Sequence, residues 1–133
     1  MLLSKNFKLE EFTASSTATK NYISNYPGDA ELANLQALCE KILQPIRNFY
    51  QKPIKITSGY RCPELNKAVG GSPTSQHLRG EAADIVCENN RGLWNLICQM
   101  VRQGEITVGQ LINEKNLSWI HISVPGKHRN QIL

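Results

Sequence analysis

Residues 75–86 read SQHLRGEAADIV and set His77 seven positions ahead of Asp84, with Gly80 and two alanines between them. Glycine and small alanines let the backbone fold back tightly, so an imidazole and a carboxylate can point into one cleft. One further histidine lies on a strand-like pattern, His121 in SWIHIS. Two imidazoles and a carboxylate make the three-ligand set of a catalytic zinc, which leaves a fourth position for water or substrate. The same set would also accept cobalt or manganese. Taken singly, each piece says little, since a strand histidine is more often a core or surface residue than a ligand. It is the ordered set that carries the signal.

These side chains need elements to position them. The run YPGDAELANLQALCEKILQPIRNFY has a turn at Pro27 and Gly28, a possible N-cap at Asp29, and apolar residues at Leu32, Leu35, Leu38, Cys39, Ile42, Leu43, Ile46 and Phe49. That spacing predicts a helix, which Pro45 should kink or interrupt because it lacks a backbone donor. PIKIT alternates like a short strand that stops at SGY, and AADIV reads as a second strand with Ala82, Asp84 and Val86 on one face. His77 then sits in a loop entered through GGSPTS, and Asp84 on the strand that follows it. NRGLWNLICQMVRQG carries Leu93, Trp94, Ile97, Cys98 and Val101 on one helical stripe with Gly104 as its stop. VGQLINEKNLSWIHISV reads as a β-hairpin joined at KN or KNLS. Trp94 and Trp119 lie on apolar patterns and are expected in the core. The expected fold class is α+β, a small antiparallel sheet flanked by helices.

The chain has 133 residues, 41% hydrophobic and 20% charged, which suits one compact soluble domain over residues 1–133. Its +4 charge is dispersed from Lys5 to Arg129 with no run of five, so no nucleic-acid footprint is expected, and a weak attraction to an anionic partner such as a cell wall is the alternative. No apolar run of 18 residues exists, so no membrane insertion is expected. MLLSKNFKLEEF lacks the apolar stretch and cleavage site of a secretory signal; a soluble intracellular product, or one released by another route, is expected. Cys39, Cys62, Cys87 and Cys98 form no CxxC pair, and a disulfide framework is not expected.

The chain resembles the M15 zinc peptidases, in particular the D-alanyl-D-alanine carboxypeptidase-like group found in bacteria and phage lysins. The resemblance rests on FKLEEFTASSTA, NLQALCEKILQPIR, ITSGYRCPELNKAVGGSPTSQHLRGEAADI, QLINE and SWIHIS, in that order. It implies a hedgehog/DD-peptidase-like fold, a monomer, and zinc held by His77, Asp84 and His121. It also implies that Arg61 of SGYR holds substrate or the developing oxyanion with its guanidinium fork, and that Ser75 positions substrate or a ligand. The implied activity is hydrolysis of peptide bonds in peptidoglycan stem peptides, by a carboxypeptidase or a lytic endopeptidase. The alternative is a catalytically impaired zinc-site module that binds cell-wall peptide.

One position departs from the pattern. In the best-known members a Glu or Asp stands three residues before the last zinc histidine, and here that residue is Ser118. An ordinary hydroxyl is no general base, so Glu114 becomes the nearest replacement, with Glu81 a weaker one. An even-numbered hairpin loop would put Glu114 and His121 on one face; an odd loop or a bulge would turn Glu114 away. His128, in the basic stretch GKHRN, is expected to be exposed and not a ligand.

Overall fold

KITS and AADIV do pair as strands, and the computed structural model, which describes residues 1–133, builds its main sheet around them. In chain order the elements are β1 (Leu2–Ser4), β2 (Phe7–Lys8), α1 (Leu9–Thr13), α2 (Ser16–Lys20), α3 (Asp29–Leu38), a π-turn (Cys39–Leu43), α4 (Gln44–Tyr50), β3 (Lys55–Ser58), α5 (Pro63–Ala68), a 3₁₀ turn (Gln76–Arg79), β4 (Ala82–Val86), α6 (Asn90–Arg102), β5 (Gln110–Glu114), β6 (Trp119–Ser123) and β7 (Gln131–Ile132). β1 and β2 form a small separate hairpin. The main sheet runs β3-β4-β6-β5-β7; its first four strands are antiparallel neighbours, and β7 joins β5 in parallel. The architecture is α+β as expected, with β7 as an unexpected parallel edge.

Alternation divides this sheet into two faces. Ala83 pairs with Ile122, Ile85 with Ile120, and Leu111 with Ile122, and all five side chains are fully buried. They share one core with Leu35, Ile42 and Ile46 of the long helical segment and Leu93 and Ile97 of α6. Each of these leucines and isoleucines contributes about 1.5–3 kcal/mol relative to exposure. A one-residue slip of β6 would turn Ile120 and Ile122 out of the core, so burial fixes the register. The opposite face is thereby assigned to Asp84, His121, Ile112 and Glu114.

The long helix is not continuous α-helix. Pro45 has no N–H, and just ahead of it the chain widens into the π-turn, where the Gln44 N–H donates to the Cys39 carbonyl five residues back. Gly28, not Asp29, is the N-cap, and Asp29 falls in the first turn, where its charge suits the helix dipole. At the other end Tyr50 packs against the core, and Phe49, expected on the apolar stripe, is exposed. Gln44 is itself buried and clamps the first hairpin to the helix. Its Oε1 accepts from Ser4 Oγ at 2.7 Å and from the Asn6 N–H at 2.9 Å, and its amide donates to Asn6 and Asn48.

Two glycines hold the segments around His77 close together. A β-carbon on Gly59 would meet the Phe12 backbone at 2.6 Å, and one on Gly80, whose φ is +71°, would meet the Glu31 carbonyl oxygen at 2.5 Å. Neither neighbour is a side-chain tip that can swing aside. Gly59→Ala is therefore expected to destabilise the protein by about 1–3 kcal/mol. Gly126→Ala, which has open space around it, should leave the thermal midpoint unchanged; equal midpoints for both variants would contradict this packing.

Candidate metal centre

His77 reaches the site from the 3₁₀ turn. Ser75 caps that turn, its Oγ accepting from the His77 N–H at 3.2 Å, and Gly80 closes it in the left-handed conformation. A reciprocal pair of bonds ties the turn to the chain leaving β3. The Arg61 N–H donates to the His77 carbonyl at 3.1 Å, and His77 Nδ1 lies 2.7 Å from the Gly59 carbonyl oxygen. A carbonyl can only accept, so Nδ1 carries the proton and Nε2 is left with a free lone pair.

Asp84 and His121 are directly opposed partners on β4 and β6. Asp84 Oδ1 lies 3.1 Å from His121 Nδ1 and 3.4 Å from His77 Nε2. The ligand atoms of the three residues all lie within 4.8 Å of one another. The rings of His77 and His121 meet edge to face, their centroids 5.3 Å apart. His121 Nε2 points away from this cluster, to Gln76 Oε1 at 2.8 Å.

The donor set fits a borderline divalent cation such as zinc. With protons on His77 Nδ1 and His121 Nε2, two imidazole lone pairs and a carboxylate oxygen converge, and a cation between them satisfies all three. In the metal-free chain a shared proton can do the same. Burial by itself raises the Asp84 pKa, but hydrogen bonds to His121 and His77 and the charge of those rings outweigh it and hold the carboxyl at about 2.

Two cavities border this centre, with no lining residue in common. One, of about 470 Å³, is bordered by His121, Gln76, Glu114, Arg79, Lys127 and His128, and Ile112 is its single hydrophobic lining residue. The other, of about 290 Å³, is bordered by Asp84, Arg61 and the hydroxyl-bearing Ser15, Thr17, Thr57 and Ser58.

Glu114 lies on the His121 face. The hairpin loop spans the four residues 115–118, so Glu114 pairs with Trp119 and Ile112 with His121, and the even-loop condition holds. The Glu114 side chain is half-buried in the wall of the larger cavity and has no ion-pair partner. Ser118 is exposed in the turn, where its Oγ donates to the Lys115 carbonyl at 2.7 Å. Lys115, Asn116 and Leu117 run through the left-handed region ahead of it, and Asn113 Oδ1 accepts from the Leu117 N–H. Ser118 is thus part of the turn and not of the cleft. Glu81 pairs with Arg79 and borders neither cavity.

Arg61 is half-buried with much of its guanidinium uncommitted. Its Nη2 lies 3.4 Å from Ser75 Oγ, its buried Nε has no partner, and no carboxylate forms an ion pair with it. Burial pulls its pKa down, and the charge of Asp84 opposes that. An uncommitted planar cation beside a cavity is suited to a carboxylate or an oxyanion.

Sequence reasoning placed two residues wrongly and overlooked others. His128 is half-buried in the wall of the larger cavity, not exposed, because the loop after β6 folds back beside β5. Trp119 is half-buried on the cleft face with Lys115 Nζ 5.5 Å from its ring centre, whereas Trp94 packs against the core. Gln76 and Lys127 were overlooked; neither type announces chemistry at its position. All four cysteines are free thiols, and Cys39 and Cys98 are buried.

A cluster of two histidines and an aspartate, Asp84 and His121 on the sheet and His77 on the turn beside it, bordered by two cavities, defines a candidate metallohydrolase. Residues 5–123 match the family model described as Peptidase M15, and the chain belongs to that family, whose members are metallopeptidases. No curated protein matches the chain. No helix is long and apolar enough to cross a membrane.

The depressed Asp84 pKa sets an acid limit on the metal-free fold. As pH falls below the ordinary value of 3.8, the unfolded chain takes up this proton before the folded chain does, so stability is lost as pH drops toward 2. Asp84→Asn should flatten that part of the stability profile, measured by denaturant unfolding of the metal-free protein between about pH 5 and 2.

Proposed function

We propose that this chain is a zinc-dependent peptidase that hydrolyses peptide bonds in peptidoglycan stem peptides, as a D-alanyl-D-alanine carboxypeptidase or a lytic endopeptidase. The observation that carries the reading is the convergence of His77, Asp84 and His121 where two cavities meet the cluster, one lined by a carboxylate without an ion-pair partner, Glu114, and the other by an uncommitted guanidinium, Arg61. Family membership supplies the peptidase class. A hedgehog/DD-peptidase-like fold, one catalytic domain over residues 1–133 and a monomeric state belong to the same proposal.

His77 Nε2, His121 Nδ1 and Asp84 would hold a zinc ion, which when bound would supply a water of lowered pKa and a Lewis acid for the scissile carbonyl. Glu114 takes the proton of the attacking water and delivers it to the leaving amine, the two tasks a single carboxylate performs in sequence. It stands on the strand next to His121, two residues along from the direct partner Ile112, and cross-strand diagonal neighbours of that kind are within reach of a long side chain. Arg61 holds a substrate carboxylate or the oxyanion from the side of the smaller cavity. Ser75 keeps Arg61 and the His77 turn in mutual register through its single hydroxyl and borders the larger cavity, where it meets substrate.

A second reading draws on Ser118. With a turn-bound hydroxyl at the position where related enzymes carry their base, the centre would bind cell-wall peptide without cutting it.

Digestion of defined stem peptides by the zinc-loaded protein, followed by mass spectrometry, separates the two. Glu114→Gln should keep its zinc and lose about 10²–10⁴-fold in turnover, and His121→Ala should lose both zinc and turnover. Full activity in Glu114→Gln removes that residue from the mechanism. Intact peptides with zinc bound to the native protein favour the binding module.

A further inference from the structure

Gln76 is adjacent in sequence to one histidine of the cluster, yet its side chain serves the other. Its Oε1 lies 2.8 Å from His121 Nε2, and its Nε2 donates to Ser123 Oγ at 3.2 Å. Ser123 is fully buried, and its Oγ also accepts from the Gln110 N–H at 2.8 Å. The amide is thus held at both ends, by the ring and by a hydroxyl anchored to the backbone of β5.

The other side of the His121 ring faces a rival. Asp84 Oδ1 stands 3.1 Å from Nδ1, and a carboxylate attracts an N–H more strongly than a neutral amide does. Left to Asp84 alone, a neutral His121 would carry its proton on Nδ1, the one nitrogen that faces the cluster. A metal would then have to displace that proton. The Gln76 carbonyl offers the proton a partner on Nε2 instead and leaves the Nδ1 lone pair exposed to the cluster.

We propose that Gln76 is a positioning residue that fixes His121 as its Nε2–H tautomer and so presents Nδ1 as a ligand atom. This rests on the metal-site part of the function proposed above but not on turnover. Outer partners of ligating histidines alter metal affinity about 10–100-fold when removed, and that is the range expected for Gln76→Leu. Gln76→Glu supplies another oxygen acceptor to Nε2–H, and the Ser123 hydroxyl can turn to donate to the new carboxylate. It should therefore retain the tautomer and most of the affinity.

The test has two readouts besides activity. Long-range proton–nitrogen correlation spectra of the zinc-free protein at about pH 8, where an ordinary imidazole is neutral, report which nitrogen of His121 carries hydrogen. Competition with a chromophoric chelator reports zinc affinity. The expected pattern is Nε2–H in the native protein and in Gln76→Glu, a shift toward Nδ1–H in Gln76→Leu, and a 10–100-fold weaker zinc complex in Gln76→Leu alone. Nδ1–H in the native protein, native behaviour in Gln76→Leu, or equal losses in the Leu and Glu variants would each overturn the proposal. A native protein that binds zinc and cuts no peptide would overturn the peptidase and leave this role of Gln76 standing.

Discussion

The pairing of β4 with β6 is the constraint on which the rest depends. Asp84 and His121 oppose one another only in the register that also opposes Ala83 with Ile122 and Ile85 with Ile120. Core burial and ligand convergence are therefore one event. The apolar face supplies the free energy, and the polar face inherits its geometry.

His77 is added to this sheet by a different device. It stands on a short turn, and its position depends on contacts to neighbouring segments: the exchange of bonds with Gly59 and Arg61, the Ser75 cap, and two glycines that let backbones approach. The SGYR segment thus has two tasks. Its glycine carbonyl orients a proposed ligand, and its arginine faces the neighbouring cavity.

What could be read from sequence follows from what each pattern encodes. The α6 stripe from Leu93 to Val101 and the alternation around Asp84 and His121 were legible because burial on one face leaves a period of 3.6 or 2. The histidines and the aspartate were legible because few other residue types bind metal. The strands β1, β2 and β7 span three residues or fewer, too short to show any period. KN and KNLS are both even loops and put Glu114 on the His121 face; the choice between them sets only which residue opposes His121, and it depends on a left-handed run through Lys115, Asn116 and Leu117 that no glycine advertises. Gln76 was illegible for another reason: its importance lies wholly in which ring nitrogen it meets.

The loop that carries Lys127 and His128 into the larger cavity begins beyond Ser123, where the match to the family ends. All three residues of the metal cluster and Glu114 lie before that point; part of the wall facing them lies after it. The cluster and this part of the cavity wall thus lie on separate stretches of the chain. The loop of residues 124–130 could be exchanged for another without replacing a single proposed ligand, so the shape and charge of that wall can change while the cluster stays as it is.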